Sequence, residues 1–288
     1  MINICVYNGN YVLDRNIISV FNASFLYGIN CFEGIRAYWN SDLKKLLVFD
    51  LDEHLNRLYD SISFLMFENV ISKNELKIEL LSLLSTGNVR ENVYIRITFF
   101  IDGETSWADQ KMISRVISVR SMASQLGCTD AISLAISDYR RISNDTMPPA
   151  VKAGANYLNS RYALLDAKSK GFEGALLLNK NNFISESTGS CVFFIRGNVL
   201  YTPAVNCDIL VGITRNRIIQ LAWANSIQVK ETNVMVEDLD NFQAAFLVGT
   251  MIELKPISRI GNKFFDPENQ IVERLINLLN NYVYGIRF

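Results

Sequence analysis

Five strand-like runs, at residues 4–7, 35–38, 46–49, 93–100 and 116–119, share the first 121 residues with only two helical ones, and that ratio constrains the fold more than any other feature. It reads as a small α+β domain over 1–121. The first helix is expected at 52–66, with Leu55, Leu58, Ile62 and Leu65 on one stripe, and the second at 73–86, with Leu76, Leu80, Leu83 and Leu84 on another. Asn8-Gly9 predicts a hairpin turn near the start. A less patterned stretch, 122–130, separates this block from a second one at 131–288. There, strands are expected at 132–136, 175–178, 183–186, 192–195, 227–231 and 244–248, with helices at 156–170, 213–224 and 267–281. Leu158, Tyr162 and Leu165 mark one face of the 156–170 helix, and Gly171 is placed to stop it. No internal repeat or low-complexity segment interrupts the pattern.

Composition narrows the function classes. With 288 residues, of which 49% are hydrophobic, the chain has material for a large core and is not disordered. Lys and Arg number 28 against 29 Asp and Glu, with no basic block, so nucleic acid is not an expected partner. No run approaches the roughly 20 apolar residues of a membrane span, and the first residues lack a basic flank, so a soluble cytoplasmic protein is expected. The five cysteines, Cys5, Cys31, Cys128, Cys191 and Cys207, are odd in number and widely spaced, as free and mostly buried thiols would be. His54 is the one histidine, so a histidine metal site or a Ser-His-Asp relay would have to use it. It is assigned a structural role at a helix start, and no metal site is expected.

The chemistry concentrates in a few segments. Pro148-Pro149-Ala150-Val151-Lys152-Ala153-Gly154-Ala155-Asn156-Tyr157 holds a lysine between a rigid lead-in and a helix. Glu186 closes a strand after a turn at 179–182, so its carboxylate can point off the strand end. Gly212-Ile213-Thr214-Arg215 opens a helix, and Gly249-Thr250 makes a turn. An amine nucleophile, a carboxylate for a pyridinium nitrogen and anion-binding amides are what a protein needs to hold pyridoxal 5'-phosphate.

These segments, together with Tyr27-Gly28-Ile29-Asn30-Cys31-Phe32-Glu33-Gly34-Ile35-Arg36-Ala37-Tyr38, Leu51-Asp52-Glu53-His54-Leu55-Asn56-Arg57-Leu58 and Tyr94-Ile95-Arg96, occur in an order and at spacings that resemble the class IV pyridoxal-phosphate aminotransferases. The branched-chain amino acid aminotransferases are the nearest subgroup. The resemblance runs from the first strand to about Ile257. It implies a two-domain α+β fold of type IV, with a small α/β N-terminal domain, a larger pseudo-barrel C-terminal domain and the cofactor between them.

It also implies roles for individual residues. Lys152 is the catalytic residue that bonds the cofactor and then moves a proton at the substrate Cα. Glu186 pairs with the pyridine nitrogen, and Tyr157 reaches the cofactor's phenolic oxygen. Arg57, Ile213, Thr214 and Thr250 hold the phosphate, Arg57 being off the apolar stripe of its helix. Taken alone, such an arginine would be read as solvated; for Tyr157 a buried core position is the rival reading. Phe32, Gly34, Arg36, Tyr94 and Arg96 line the substrate pocket, and Thr250 and Met251 bind the substrate carboxylate. Arg96 receives a second carboxylate, and Tyr27 reaches across from a second subunit of a homodimer.

The chain departs from the branched-chain pattern where the pocket lies. Met122 and Gln125 stand where aromatic residues are usual, Met251-Ile252 replaces Ala-Ala, Cys191 replaces Asn, and Ile97 replaces Pro. The expected reaction is therefore transfer of an amino group between an amino acid, with glutamate as a partner, and a 2-oxo acid or ketone. A lyase on the same scaffold, similar to aminodeoxychorismate lyase, is the alternative, opposed by Glu33-Gly34-Ile35-Arg36 and Tyr94-Ile95-Arg96. A D-amino acid aminotransferase would need an Arg-x-His clamp that His54 does not supply. A non-catalytic binding protein would leave Lys152, Glu186, Tyr157 and Arg57 unexplained together.

Overall fold

A computed structural model describes residues 2–12, 18–128 and 130–286; residues 1, 13–17, 129, 287 and 288, which fall within the expected domains and the expected interdomain stretch, lie outside the described residues. The chain divides into two compact units. The first comprises Met1–Ala123, Val151–Ala155 and Val283–Gly285, and the second Ser124–Ala150, Asn156–Tyr282 and Ile286–Phe288.

The first unit contains β1 (Asn3–Tyr7), β2 (Asn10–Tyr11), α1 (Ala23–Tyr27), β3 (Asn30–Asn40), β4 (Lys45–Val48), α2 (Leu51–Phe64), α3 (Lys73–Thr86), β5 (Val93–Ile101) and β6 (Ile113–Ser121). Its strands form one antiparallel sheet in the order β2-β1-β6-β5-β3-β4. Asn8 and Gly9, at φ of 45° and 87°, make the expected two-residue turn between β1 and β2. Along β3 the side chains alternate. Cys31, Ile35 and Ala37 join the core with Leu55, Leu58 and Ile62 of α2 and Leu76, Leu80, Leu83 and Leu84 of α3. Phe32, Gly34 and Arg36 therefore share the opposite face. A capping box of Ser72 and Glu75 starts α3. The segment Val151–Ala155 docks on the edge of β3: Phe32 N–H donates to Lys152 O at 3.0 Å, and Cys31 and Ala153 form an antiparallel bridge.

The second unit contains β7 (Ile132–Ile136), α4 (Tyr157–Ser169), β8 (Gly174–Leu178), β9 (Ile184–Ser187), β10 (Cys191–Arg196), β11 (Val199–Pro203), α5 (Ile213–Ala224), β12 (Gln228–Thr232), β13 (Ala244–Gly249), β14 (Glu253–Ile260), β15 (Lys263–Phe264) and α6 (Gln270–Val283). The sheet runs β12-β11-β10-β13-β14-β7-β8-β9, with β15 on β14. Pairs β11·β12, β14·β7 and β7·β8 are parallel. A tight turn in which Ser187 N–H donates to Ser190 O at 2.9 Å brings β9, at one end of this order, back to β10 near the other, so the sheet curls on itself.

Two sequence expectations are corrected here. In α4 the face that packs is Ser160, Ala163 and Ala167, lying on Ala135, Ala175 and Leu177, whereas Leu158, Tyr162 and Leu165 are 53%, 50% and 47% exposed. Small residues let the helix lie close on β7 and β8, so the apolar stripe did not mark the buried side. The last helix starts later than 267–281 implied, because Pro267 precedes it and Asn269 caps it, its Oδ1 accepting from Ile271 N–H at 3.1 Å. Strands β11 and β14 escape the sequence pattern; β14 carries Glu253, Lys255, Pro256 and Arg259, which mask its alternation. Among the described residues no helix is long and apolar enough to cross a membrane.

Candidate active site

In the first unit, Lys152 is anchored through both of its backbone groups. Its carbonyl accepts from Phe32 N–H, and its N–H donates to Ser61 Oγ at 3.1 Å. Val151 and Ala153 on either side are buried while Lys152 itself is half-buried. The Nζ lies 5.1 Å from the centre of the Phe32 ring, and the Arg96 guanidinium lies 3.6 Å from the same ring.

Behind β3 lies a buried charge cluster. Glu33, fully buried, accepts from Arg57 Nε at 2.7 Å and Arg57 Nη2 at 3.0 Å, and its Oε2 lies 2.7 Å from His54 Nδ1. Burial alone would raise the Glu33 pKa; the Arg57 charge and the His54 hydrogen bond outweigh it and hold the carboxyl at about 2. Burial depresses the His54 pKa, the Arg57 and Lys152 charges add to this, and Glu33 opposes it. His54 is accordingly neutral and donates from Nδ1, which gives it the structural place expected of it. Arg57 is fixed by a carboxylate and does not swing with the solvent.

The expected substrate residues of this unit fall into distinct settings. Phe32 and Tyr94 are buried, and a Cβ on Gly34 would sit 2.5 Å from Tyr94 Oη, so only glycine leaves that hydroxyl its place. Arg96 Nε donates to Thr98 Oγ1 at 3.3 Å. Arg36 is almost fully buried and donates from Nη2 to Met122 O at 3.0 Å and Ala123 O at 3.1 Å, so it also ties down the stretch that begins at Met122. Tyr27 is 53% exposed and meets Trp107 edge-on at 5.3 Å.

In the second unit, Glu186 is buried and its Oε1 lies 2.7 Å from Arg141 Nη2, while Leu210 N–H donates to Oε2 at 3.2 Å. Arg141 reaches it because Arg141 N–H donates to Leu178 O, at the end of the strand paired with β9. Helix α5 starts at Gly212 with no side-chain cap, leaving its first amides and the buried Thr214 and Ile213 at a positive helix end. A Cβ on Gly212 would lie 2.8 Å from Cys191 Sγ. Thr250 and Met251 occupy the turn between β13 and β14, Met251 being 47% exposed. Tyr157 opens α4 and is 37% exposed, so the rival reading of it as a buried core tyrosine does not hold. Glu253, buried at φ 56°, accepts from Ser124 Oγ at 2.9 Å and from Gln125 N–H, fastening that stretch to the turn.

Sequence reasoning missed Arg141, Ser61 and Glu253. A buried carboxylate demands a cation, so Glu186 implied a partner, yet nothing in the spacing singled out Arg141 among the arginines. Of the cysteines, Cys31, Cys191 and Cys207 are buried and all five are free thiols. Burial and then the Glu33 charge push the Cys31 pKa up to about 12, which makes it inert. Among the described residues no cluster of His, Cys, Asp and Glu is arranged to hold a metal.

Residues 30–260 match the family described as Amino-transferase class IV. The chain is 34% identical over 259 residues to the putative branched-chain-amino-acid aminotransferase of Methanocaldococcus jannaschii, covering 89% of this chain and 87% of that protein. It superposes with a TM-score of 0.92 and 29% identity on the branched-chain aminotransferase of Thermoproteus uzoniensis with norvaline, covering 99% of this chain and 95% of that one. A T.th. branched-chain amino acid aminotransferase complexed with N-(5'-phosphopyridoxyl)-L-glutamate gives a TM-score of 0.91 at 26% identity, with 99% and 95% covered.

Proposed function

Because this chain belongs to the class IV amino-transferases and is a pyridoxal-phosphate-dependent aminotransferase, we propose that it exchanges an amino group between glutamate and a 2-oxo acid, with Lys152 moving the proton at the substrate Cα. The observation that carries this reading is the anchoring of Lys152 through both its carbonyl and its N–H, which fixes the backbone from which the side chain extends. The residues fit the cofactor: α5 offers an uncapped helix start beside a glycine whose Cβ has no room, and Glu186 is a buried carboxylate held by a guanidinium. When bound, the cofactor supplies an aldehyde that exchanges with amines and a ring that accepts electrons from Cα.

The roles of the chain's residues follow from their chemistry. In the first unit, Arg57, oriented by Glu33, binds the phosphate bidentately. In the second, Ile213, Thr214 and Thr250 do so through amides and hydroxyls, Glu186 keeps a proton on the pyridine nitrogen, and Tyr157 donates to the phenolic oxygen. Phe32, Gly34, Arg36, Tyr94 and Arg96 shape the pocket. Arg96, already stacked on Phe32, takes the distal carboxylate of glutamate, and the Thr250-Met251 turn takes the α-carboxylate. The glutamate adduct of the T.th. relative supports that partner, and the norvaline complex supports an aliphatic one. Gln125 and Met122 remove flat apolar wall, so branched aliphatic substrates are handled less well than by the relatives, a misfit worth roughly 10–200-fold.

The enzyme works as a homodimer in the cytoplasm. Phe25, Leu26, Tyr27 and Trp107 are all more than half exposed, an apolar surface that a second copy would cover. Five free thiols are in keeping with a reducing compartment. The test is borohydride reduction with peptide mapping, alongside a screen of amino donors and oxo acceptors. Label on Lys152 and turnover with glutamate are expected; label on another lysine, or leucine outranking every donor, would overturn the assignment or the pocket argument respectively.

A further inference from the structure

We propose that Ser61 is a positioning residue that registers Lys152 against Arg57, deepening the reading above and resting on it for the roles of those two residues. Ser61 is 1% exposed and stands one turn after Arg57 on α2. Its Oγ accepts from Lys152 N–H at 3.1 Å and donates to Arg57 O at 3.0 Å. A hydroxyl has one proton to give and two lone pairs to receive, so both bonds form together.

The donation to Arg57 O is ordinary, since a serine inside a helix commonly satisfies itself on the carbonyl four residues back. Acceptance from Lys152 N–H has no such local reason. It joins segments 91 residues apart in sequence. It also closes a ring: Lys152 O accepts from Phe32 N–H, Glu33 follows Phe32, the Glu33 carboxylate binds Arg57, Arg57 O accepts from Ser61, and Ser61 returns to Lys152. Three of these links, Phe32 to Lys152, Glu33 to Arg57 and Ser61 to Lys152, cross between β3, α2 and the lysine segment. The backbone of the nucleophile and the guanidinium that grips an anion are thus fixed to one frame. A leucine or alanine at 61 would pack beside Leu58 and Ile62 without supplying the link.

Removing the hydroxyl leaves the Lys152 N–H without its acceptor and frees one end of the frame. A displacement of about 1 Å at a reacting group is worth up to roughly 100-fold in rate. Binding contacts made by other residues are untouched. Ser61→Ala should therefore lower kcat by roughly 10- to 100-fold, with KM for donor and acceptor within about twofold and the cofactor retained. Ser61→Thr, which keeps the hydroxyl, should restore most of the rate.

The decisive measurement does not depend on turnover. Hydrogen–deuterium exchange, read on the peptide spanning residues 149–157 of the purified enzyme with and without added pyridoxal phosphate, should show the Lys152 amide exchanging roughly tenfold or more faster in Ser61→Ala and returning toward the parent rate in Ser61→Thr. Unchanged exchange at Lys152 overturns the proposal, whatever the turnover. So does parental kcat in Ser61→Ala, or a loss confined to thermal stability, which is what a packing role would give. If the parent enzyme itself fails to transaminate, the function assigned above falls, while the exchange experiment still decides whether Ser61 holds Lys152.

Discussion

Glu33→Gln is the most informative single change, because it removes one charge from a cluster whose partners are all fixed. The carboxylate accepts two bonds from Arg57 and lies 2.7 Å from His54, in a fully buried position. Its pKa falls from 4.5 to about 2 on folding. At about 1.4 kcal/mol per pH unit, the ionised form contributes about 3 kcal/mol to stability at neutral pH. The folded pKa is the lower one, so this contribution is present above about pH 4.5 and is lost as pH falls toward 2. Removing one partner of a buried pair independently costs about 3–5 kcal/mol. The two routes agree, and at roughly 2–4 °C per kcal/mol for a chain of this size Tm should drop by about 10 °C. Urea unfolding followed by circular dichroism at about pH 7 and about pH 3.5 is the assay, with the gap between parent and variant near 3 kcal/mol at the first and shrinking to roughly 2 at the second. A gap below about 1 kcal/mol at neutral pH, or one that widens in acid, would refute the argument.

Other variants probe other parts of the structure. Glu186→Gln should cut kcat far more than cofactor affinity, measured by turnover and by titration of the visible band; equal turnover would remove Glu186 from its role. Arg141→Met leaves Glu186 without its cation and should destabilise the protein by about 3–5 kcal/mol, whereas Arg141→Met combined with Glu186→Gln should recover part of that loss in a double-mutant cycle. Gly34→Ala drives a methyl to within 2.5 Å of Tyr94 Oη and should raise KM for the amino donor, with the bound cofactor spectrum unaltered. Below about pH 6.5 the unfolded chain protonates His54 while the folded chain resists, so stability should begin to fall there, and His54→Gln should flatten that part of the curve.

Much of the first unit was legible because its signals are local. Period-two runs gave β3, β5 and β6, and apolar residues at three- and four-residue spacing gave α2 and α3. The candidate site residues come from a family pattern, which points to Lys152 and Glu186 but not to what steadies them. Arg141 meets Glu186 through the pairing of β8 and β9, and Ser61 meets Lys152 through docking on β3; such contacts depend on topology, to which single-sequence periodicity is blind. Helix α4 misled for a physical reason. Alanines pack closely and carry a weak hydrophobic signal, whereas Leu158, Tyr162 and Leu165 carry a strong one and remain outside.

The first unit is assembled from three pieces of chain, and the last of them is Val283–Gly285. Tyr284 receives Asn92 Nδ2 on its hydroxyl at 2.7 Å and Asn40 Nδ2 on its carbonyl at 2.6 Å, with its ring against Tyr38. On a ribosome these partners emerge in a fixed order. The sheet and the lysine segment are made first, and Tyr284 follows 129 residues after Ala155 (284 − 155), roughly 6–26 s later at about 5–20 residues per second. For that interval the Asn40 and Asn92 amides lack the bonds that Tyr284 supplies, so the first unit is completed only after most of the second has been made.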